Sequence, residues 1–504
     1  MRWSFVPPLL VYFAGGCAGL TGIAGTFYLK NHLGMTAEAV AALGFWATLP
    51  WTLKMPLGHL VDLGWRHRGA LLVTGAVLIA LGLLAMIGLL HNRASMQARL
   101  PVQAWYALSV LSLSLGYVLQ DVVADAMTVA AVPRADRLGR PLDERELRSL
   151  HTTMQALGRS ALILGALVVG VVNVAFFSDA DQLPPQRWLD IYMQLHLLAL
   201  LIPVLSISGL VLEGLLRNRT PATAMPPPAD RALLGGGLAF ALLAATLGLT
   251  RTPAAEVLVF VASLVVVALL MRRLVVALEP QVRRTLVGTA LVVFMFRAAP
   301  DPGPGPSWWI IDRLGVGPAF LSRLGVLGSV MALAGLLLLR RWMARHSLTH
   351  TVVALALVWT LVSLPTIGMY YGLHDWLSAH TRGVVDGRWI VVADTTLLGL
   401  FTEVAMVPML AWIARTAPER LKATYFAVLV SFANLGLLLS RLLSQGLNEI
   451  FVVTREVRDP ASGAVTIAAD YTQLGALHIT ATALTLALPL ATVALLRLAR
   501  ARAD

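Results

Sequence analysis

Two aspartates lie four residues apart in a stretch of chain that otherwise has the composition of a membrane helix. The stretch is 105–132, and Asp121 and Asp125 lie near its centre. Residues four apart share one face of a helix, and an ionised carboxylate in hydrocarbon costs roughly 2.5 kcal/mol or more. Such groups are kept where they face partners or a water-filled path. The pair therefore indicates a membrane interior that has a function, and transport is the function it favours.

The composition predicts an all-α polytopic membrane protein. Hydrophobic residues make up 58% of the 504 residues and charged residues 13%, whereas a soluble domain has roughly 25% charged residues. A net charge of +12 could indicate a nucleic-acid partner, but the Lys and Arg residues punctuate the apolar segments, as the positive-inside rule requires. We therefore expect a lipid bilayer and no nucleic acid among the partners.

Motifs of soluble enzymes are missing from the sequence. It contains no Walker motif, no Cys/His metal spacing and no nucleophile elbow. We expect the protein not to be an enzyme and to hold neither a metal nor a cofactor.

The apolar segments predict fourteen transmembrane helices, since a spanning helix needs about 20 apolar residues. They are 6–29, 37–57, 69–91, 103–132, 149–177, 188–214, 232–250, 254–274, 285–300, 318–341, 350–373, 388–414, 421–447 and 472–498. The main basic clusters fall on one side of this arrangement, which places both termini in the cytoplasm of a protein of the inner membrane.

The proline-containing stretch 218–230 is the best linker and divides the chain into three parts. We expect an N-terminal six-helix bundle at 1–216, a cytoplasmic linker with an extra transmembrane hairpin at 217–284, and a C-terminal six-helix bundle at 285–504. Two six-helix bundles related as parallel repeats are the architecture of major-facilitator transporters.

A first group of charged residues is expected to close the cytoplasmic side. Lys54 lies near the inner end of the second helix, and Asp62 and Arg66 follow in a stretch that looks like the loop between helices two and three of major-facilitator proteins. Asp125 lies at a depth where it could pair with Lys54. We interpret these four residues as a gate or brace, and Asp121, one turn deeper, as either a brace or a substrate or proton site.

A second group lies near the middle of the membrane. Arg159 follows about ten residues of helix, so it lies roughly 15 Å deep at about 1.5 Å per residue, and Gln155 precedes it by one turn. Arg297 lies at a similar depth before the proline run 300–306. Each arginine is a candidate to bind an anionic substrate. The alternative for Arg159 is a structural role as the partner of the aspartates. The alternative for Arg297 is a side chain at a helix end that extends to the membrane surface.

The C-terminal half supplies further polar groups. Glu403 and Asn434 are expected at mid-depth, and Glu403 is either a proton carrier, an acceptor for a substrate amine or a member of a satisfied ion pair. Asp394 and Arg441 lie nearer the outside and are expected to form an outer brace.

Four blocks of sequence resemble the folate-biopterin transporters of the major facilitator superfamily. They are Tyr28–Lys30 with Leu33–Gly34, Leu49–Gly58 with Asp62, Gln120–Met127, and the late block from Met406 to Gly436. The resemblance implies uptake of folate- or pterin-like organic anions, driven by protons. Fourteen helices depart from the twelve that are usual in that family. The chain also looks somewhat like muropeptide permeases and like the light-harvesting assembly proteins, a non-transporting alternative.

These observations combine into one hypothesis: a monomeric secondary transporter that moves a small organic anion by alternating access. The residues assigned to substrate binding are Arg159, Arg297, Gln155, Glu403 and Asn434. The coupling proton is assigned to Asp121 and Glu403, and the gate to Lys54, Asp62, Arg66 and Asp125.

Overall fold

The structure is a computed structural model that describes residues 3–33, 35–52, 54–63, 67–132, 142–178, 185–216, 231–249, 254–276, 279–402, 404, 406, 409, 422–458 and 465–501. Helices account for most of these residues. They are α1 (Val6–Gly16), α2 (Gly22–Tyr28), α3 (Ala37–Thr52), α4 (Lys54–Leu63), α5 (Arg68–His91), α6 (Arg93–Gln97), α7 (Val102–Ala131), α8 (Glu144–Phe177), α9 (Pro185–Ala199), α10 (Leu201–Leu216), α11 (Arg231–Leu249), α12 (Ala255–Val276), α13 (Pro280–Arg297), α14 (Gly305–Leu314), α15 (Pro318–Leu338), α16 (Arg340–Arg345), α17 (Leu348–Tyr370), α18 (Leu373–His380), α19 (Gly387–Thr402), α20 (Lys422–Ile450) and α21 (Leu474–Ala501). The strands β1 (Val457–Arg458) and β2 (Val465–Ile467) pair antiparallel.

Eight helical segments within the described ranges are long and apolar enough to cross a membrane. They are Trp3–Tyr28, Arg68–His91, Val102–Thr128, Ala156–Phe177, Arg187–Leu216, Pro318–Leu338, Leu348–Tyr370 and Leu474–Ala499. Two shorter apolar helices, Gly235–Gly248 and Ala255–Leu269, lie where the sequence predicts the extra hairpin. The prediction of a helical multi-pass membrane protein is confirmed, and the count of fourteen spans stays a prediction.

Prolines explain where helix bounds differ from the predicted ones. The helix predicted at 285–300 begins at Pro280, in the first helical position, where a missing N–H does no harm. It ends at Arg297, three residues before Pro300. The segment predicted as one helix at 188–214 divides at Leu200 into α9 and α10, because Pro203 cannot donate to the residue-199 carbonyl and its ring would clash there.

The contacts divide the chain into two compact units. Unit one comprises Met1–Phe27, Pro56–Leu234 and Gly317–Ser329. In it α1 packs against α7, α8 and α10, and α5 packs along α7. Gly75 and Gly116 allow the last two backbones to meet, since a Cβ on Gly116 would lie 2.6 Å from the Gly75 carbonyl oxygen. Small residues at such crossings are typical of membrane helix pairs.

Unit two comprises Tyr28–Met55, Gly235–Val316 and Val330–Asp504. Here α3 packs along α20, and α13 packs against α20 and α21. Its buried core joins three groups of side chains: from α3, Phe45 and Leu49; from the extra hairpin, Phe240, Ala244, Val259, Phe260 and Val267; and from α13 and α20, Phe294, Leu435 and Leu438. The hairpin is therefore an integral part of the core of unit two. The predicted boundaries at 216 and 284 stay a prediction.

Candidate functional site

A charged centre lies inside unit one, where α1, α7 and α8 meet. The helix α7 carries Asp121 and Asp125 one turn apart, both partly buried. The helix α8 begins at an Asp143 side chain that accepts a hydrogen bond from the Glu146 amide at 2.6 Å, and it carries Arg159 about four turns further on. The two roles predicted for Arg159, a structural partner of the aspartates or an anion anchor for a substrate, both stay predictions.

Tyr12 of α1 connects these groups. Its hydroxyl donates a hydrogen bond to Oδ1 of Asp125 at 2.5 Å, and its side chain is buried, with 7% exposed. The charges of Asp125, Asp121 and Arg159 all act on this phenol. Sequence reasoning missed Tyr12, because a single tyrosine in the apolar run 6–14 carries no signal by itself. The one property of Tyr12 that the sequence could have pointed to is the depth of its hydroxyl in the membrane, which matches the depth of the aspartates.

Glycines bring α1 and α8 close enough for this contact. A Cβ on Gly158 would lie 2.9 Å from Cε2 of Tyr12, so the phenol ring lies directly on the Gly158 backbone. Gly16 lies one turn after Tyr12 on α1, and Gly165 lies two turns after Gly158 on α8. These two glycines let the two helix backbones touch. The position next to Arg159 is thus built to accept the Tyr12 ring.

The residues predicted to form the gate are only partly described. The Lys54 ammonium lies 5.3 Å from the centroid of the Trp51 ring, a cation–π contact. Asp62 lies in α4 and Gln155 lies in α8, but the structure does not describe their side chains. Arg66 lies outside the described residues. The gate assignment stays a prediction.

A buried ion pair at the ends of α5 and α10 was not singled out from the sequence. Arg68 donates to Glu213 at 2.6 Å, and the Arg68 side chain is buried. It joins the first residue of α5 to the last turn of α10, which identifies it as a structural clamp of unit one.

The arginine of unit two has a different environment. Arg297, in the last turn of α13, donates through Nε to the Ala433 carbonyl at 3.0 Å, and its Nη1 lies 3.6 Å from Sδ of Met406. The neighbouring residue Asn434 donates to the Trp51 carbonyl at 3.0 Å. Two predicted substrate residues therefore lie at one crossing of α13 and α20. Glu403 lies outside the described residues.

The non-helical segment that follows α13 is hydrogen-bonded to α20. Asp301 accepts hydrogen bonds from Arg441 Nη1 at 2.6 Å and from the Gly303 amide at 2.8 Å, and its own amide donates to Ser444. The expected brace between Asp394 and Arg441 is wrong, since Asp394 instead accepts from Thr366 at 3.3 Å. The reason is that α20 packs against α13, which turns Arg441 toward the break rather than toward α19.

A second polar cluster lies outside the membrane-spanning segments, between α14 and the segment before α21. The guanidinium of Arg455 lies 5.2 Å from the Trp308 ring centroid, and burial lowers its pKa to about 10. Tyr471 donates to Asp312 at 2.5 Å, and burial together with that carboxylate raises the pKa of the Tyr471 hydroxyl. Within the described part of the chain, no group of three His, Cys, Asp or Glu side chains is placed to hold a metal.

Comparisons with known proteins agree with this architecture. The model of the BT1 family matches residues 15–503. A folate-biopterin transporter of Synechocystis sp. is 24% identical over 442 residues, which is 87% of this chain and 73% of that protein. A putative folate transporter 2 of Plasmodium berghei is 26% identical over 160 residues, 30% of this chain and 32% of that one.

Among solved structures, a POT family transporter in complex with 5-aminolevulinic acid superposes with a TM-score of 0.61. It is 13% identical, and the match covers 98% of this chain and 95% of that one. At this identity the likeness shows the fold alone, and it confirms the predicted major-facilitator fold.

Proposed function

The chain belongs to the BT1 family, and from this premise we propose that it moves a folate- or pterin-like organic anion across the inner membrane by proton-coupled alternating access. The family match confirms the predicted resemblance to folate-biopterin transporters. The protein is accordingly a membrane transporter with a small-molecule substrate, and not an enzyme.

The observation that carries the proposal is a charged centre buried among apolar helices in unit one. Arg159 lies there with two carboxylates and a phenol. Folate-like solutes carry carboxylates that are ionised at neutral pH, and burying such a charge is costly without a cation to pair with it. Arg159 is the anion contact that this centre supports best.

Unit two supplies a second proposed anion contact. Arg297 donates through Nε to the Ala433 carbonyl and places Nη1 at the Met406 thioether, and these contacts fix the guanidinium. Arginine presents a planar fork that matches a carboxylate. We assign Gln155, Glu403 and Asn434 to further substrate contacts, and Asp121 and Glu403 to the coupling proton.

The remaining features of the proposal follow from the charge pattern. Lys54, Asp62, Arg66 and Asp125 close the cytoplasmic side, both termini lie in the cytoplasm, and the transporter is a monomer in the lipid bilayer. The extra hairpin accompanies two six-helix bundles.

Uptake by reconstituted vesicles tests the site. Vesicles holding the wild-type protein, Arg159→Ala or Arg297→Ala receive radiolabelled folate or biopterin under an inward proton gradient. Both variants are expected to lose uptake while inserting normally. The matched control is Arg187→Ala, since Arg187 is exposed and pairs with Asp190 on its own helix. Unchanged uptake in both test variants would contradict the site assignment.

Thermal shift of the purified protein separates the remaining possibilities. Stabilisation by folates or pterins supports the proposal. Stabilisation by muropeptides alone would contradict the substrate class and favour a muropeptide permease. Co-purification with a pigment complex, together with no shift by any solute, would favour a non-transporting assembly factor.

A further inference from the structure

Tyr12 contacts both the helix of the aspartates and the helix of the arginine. Its hydroxyl donates to Oδ1 of Asp125 on α7, and its ring lies on Gly158 of α8, directly before Arg159. One side chain of α1 thus links α7 and α8. The sequence predicts a gate role for Asp125 on the first of these helices and a substrate contact for Arg159 on the second.

The groups that face Tyr12 come from two of the three long helices packed against α1. Asp121 and Asp125 face it from α7, and Arg159 faces it from α8. Within the described residues, α10 adds no charge that acts on the phenol, and its Glu213 is paired with Arg68. The centre therefore holds two carboxylates and one guanidinium around one hydroxyl.

We propose that Asp125 carries the coupling proton and that Tyr12 is the positioning residue that holds the Asp125 carboxylate for this step. The inference rests on the proposed function and revises it in two places: it gives the coupling proton to Asp125 instead of Asp121 and Glu403, and it removes Asp125 from the gate.

The step is a single proton transfer. A hydronium ion gives its proton to Oδ2 of Asp125: one O–H bond of the hydronium breaks, one O–H bond forms on Oδ2, and the carboxylate loses its negative charge, while Tyr12 stays bonded to Oδ1. Loss of that charge leaves one carboxylate, Asp121, against the one guanidinium of Arg159, which lessens the repulsion of an anionic solute, so that proton and anion enter together. On release, Oδ2 returns the proton to water. The hydrogen bond to Oδ1 fixes the orientation of the carboxylate, so Tyr12 holds Asp125 in place for each proton transfer.

Two assays on the same vesicles separate this role from a structural one. Net uptake of radiolabelled folate under an inward proton gradient requires Asp125 to release its proton in every cycle. Exchange of labelled for unlabelled folate at equal pH does not, because the loaded carrier moves back and forth without losing its proton. A merely structural change lowers both rates together.

Three variants are expected to lower net uptake selectively. Tyr12→Phe removes only the hydroxyl, and we expect net uptake to fall about tenfold while exchange stays within about twofold, since a charge-assisted hydrogen bond is lost. Asp125→Asn is expected to abolish net uptake and keep exchange. Gly158→Ala, whose added methyl meets the Tyr12 ring, is expected to give a weaker form of the same phenotype.

The control is Tyr192→Phe. Tyr192 is a buried tyrosine of unit one whose hydroxyl has no hydrogen-bond partner among the described residues. It is expected to leave both rates unchanged.

The outcomes are distinguishable. Equal losses in both assays for Tyr12→Phe and Asp125→Asn, or a selective loss in Asp121→Asn with none in Asp125→Asn, would overturn this inference alone. If Tyr12→Phe fails to insert, Asp125→Asn decides by itself. Wild-type protein that moves neither folate nor biopterin in either assay would overturn the proposed function and this inference with it.

Discussion

The charged centre of unit one and the arginine of unit two differ in what holds them. In unit one the contacts are made by ionisable side chains: the Tyr12 phenol donates to the Asp125 carboxylate beside Arg159. In unit two Arg297 is held by the Ala433 carbonyl and lies against the Met406 thioether, neither of which titrates near neutral pH. The difference teaches that the centre of unit one brings ionisable side chains into direct contact, whereas Arg297 is oriented by a backbone carbonyl and a thioether.

The ion pairs of the two units extend the comparison. Arg68–Glu213 in unit one is buried on the arginine side, with side-chain exposures of 5% and 21%, whereas Arg441–Asp301 in unit two is 43% and 45% exposed. Glu213→Gln is therefore expected to destabilise the protein by about 3 kcal/mol. Asp301→Asn is expected to cost about 1 kcal/mol or less. Thermal unfolding in detergent measures both, and a larger loss in Asp301→Asn would reverse this comparison.

Replacing the fixed cation tests the second half of the comparison. Arg297→Met is expected to lower folate uptake about a hundredfold, equivalent to about 2.7 kcal/mol at 1.36 kcal/mol per tenfold. The pH dependence of the residual uptake should equal that of the wild type, because the inferred proton carrier, Asp125, lies in unit one and is unchanged in this variant. Arg313→Met, at an exposed position, serves as the control. An altered pH profile in Arg297→Met would show that the second centre also titrates.

Two glycines of α20 give a matched pair for the packing that places Arg297. A Cβ on Gly436 would lie 2.7 Å from the Phe294 carbonyl oxygen, whereas a Cβ on Gly446 meets nothing within 4 Å. Gly436→Ala is expected to destabilise by about 2 kcal/mol through overpacking. Gly446→Ala should be neutral or stabilise by up to about 1 kcal/mol, because alanine is the better helix former. Equal unfolding temperatures for the two variants would argue against this close approach of α13 and α20.

The smallest expected effect concerns the extra hairpin. Trp46 Nε1 donates to Glu256 Oε1 at 2.9 Å, linking α3 to α12. Glu256→Gln keeps an acceptor but removes its charge, so it is expected to cost about 1 kcal/mol of stability with little change in uptake. A strong loss of uptake at normal stability would instead give the hairpin a direct part in transport.

Sequence patterns predicted which charged residues lie in the centre of unit one better than they predicted the contacts between them. The four-residue spacing of Asp121 and Asp125 and the depth of Arg159 indicated buried charges on α7 and α8. Tyr12 could not be predicted, because its partner lies 113 residues away and hydroxyls in apolar runs are common.

The two errors have different physical origins. The brace between Asp394 and Arg441 was wrong because depth along two helices does not determine which faces they turn to each other. Arg441 instead contacts Asp301 beyond the end of α13. The division between α9 and α10 was missed although Pro203 marks it. By contrast, the early end of α13 follows directly from the proline run.

The most direct test of the central claim is the ratio of proton-driven folate uptake to folate exchange at equal pH, measured in parallel for Asp125→Asn and Arg297→Lys. The expected result is a ratio near zero for Asp125→Asn, and for Arg297→Lys a ratio equal to that of the wild type at a lower rate in both assays. A wild-type ratio in Asp125→Asn would contradict the claim that unit one holds the titrating centre.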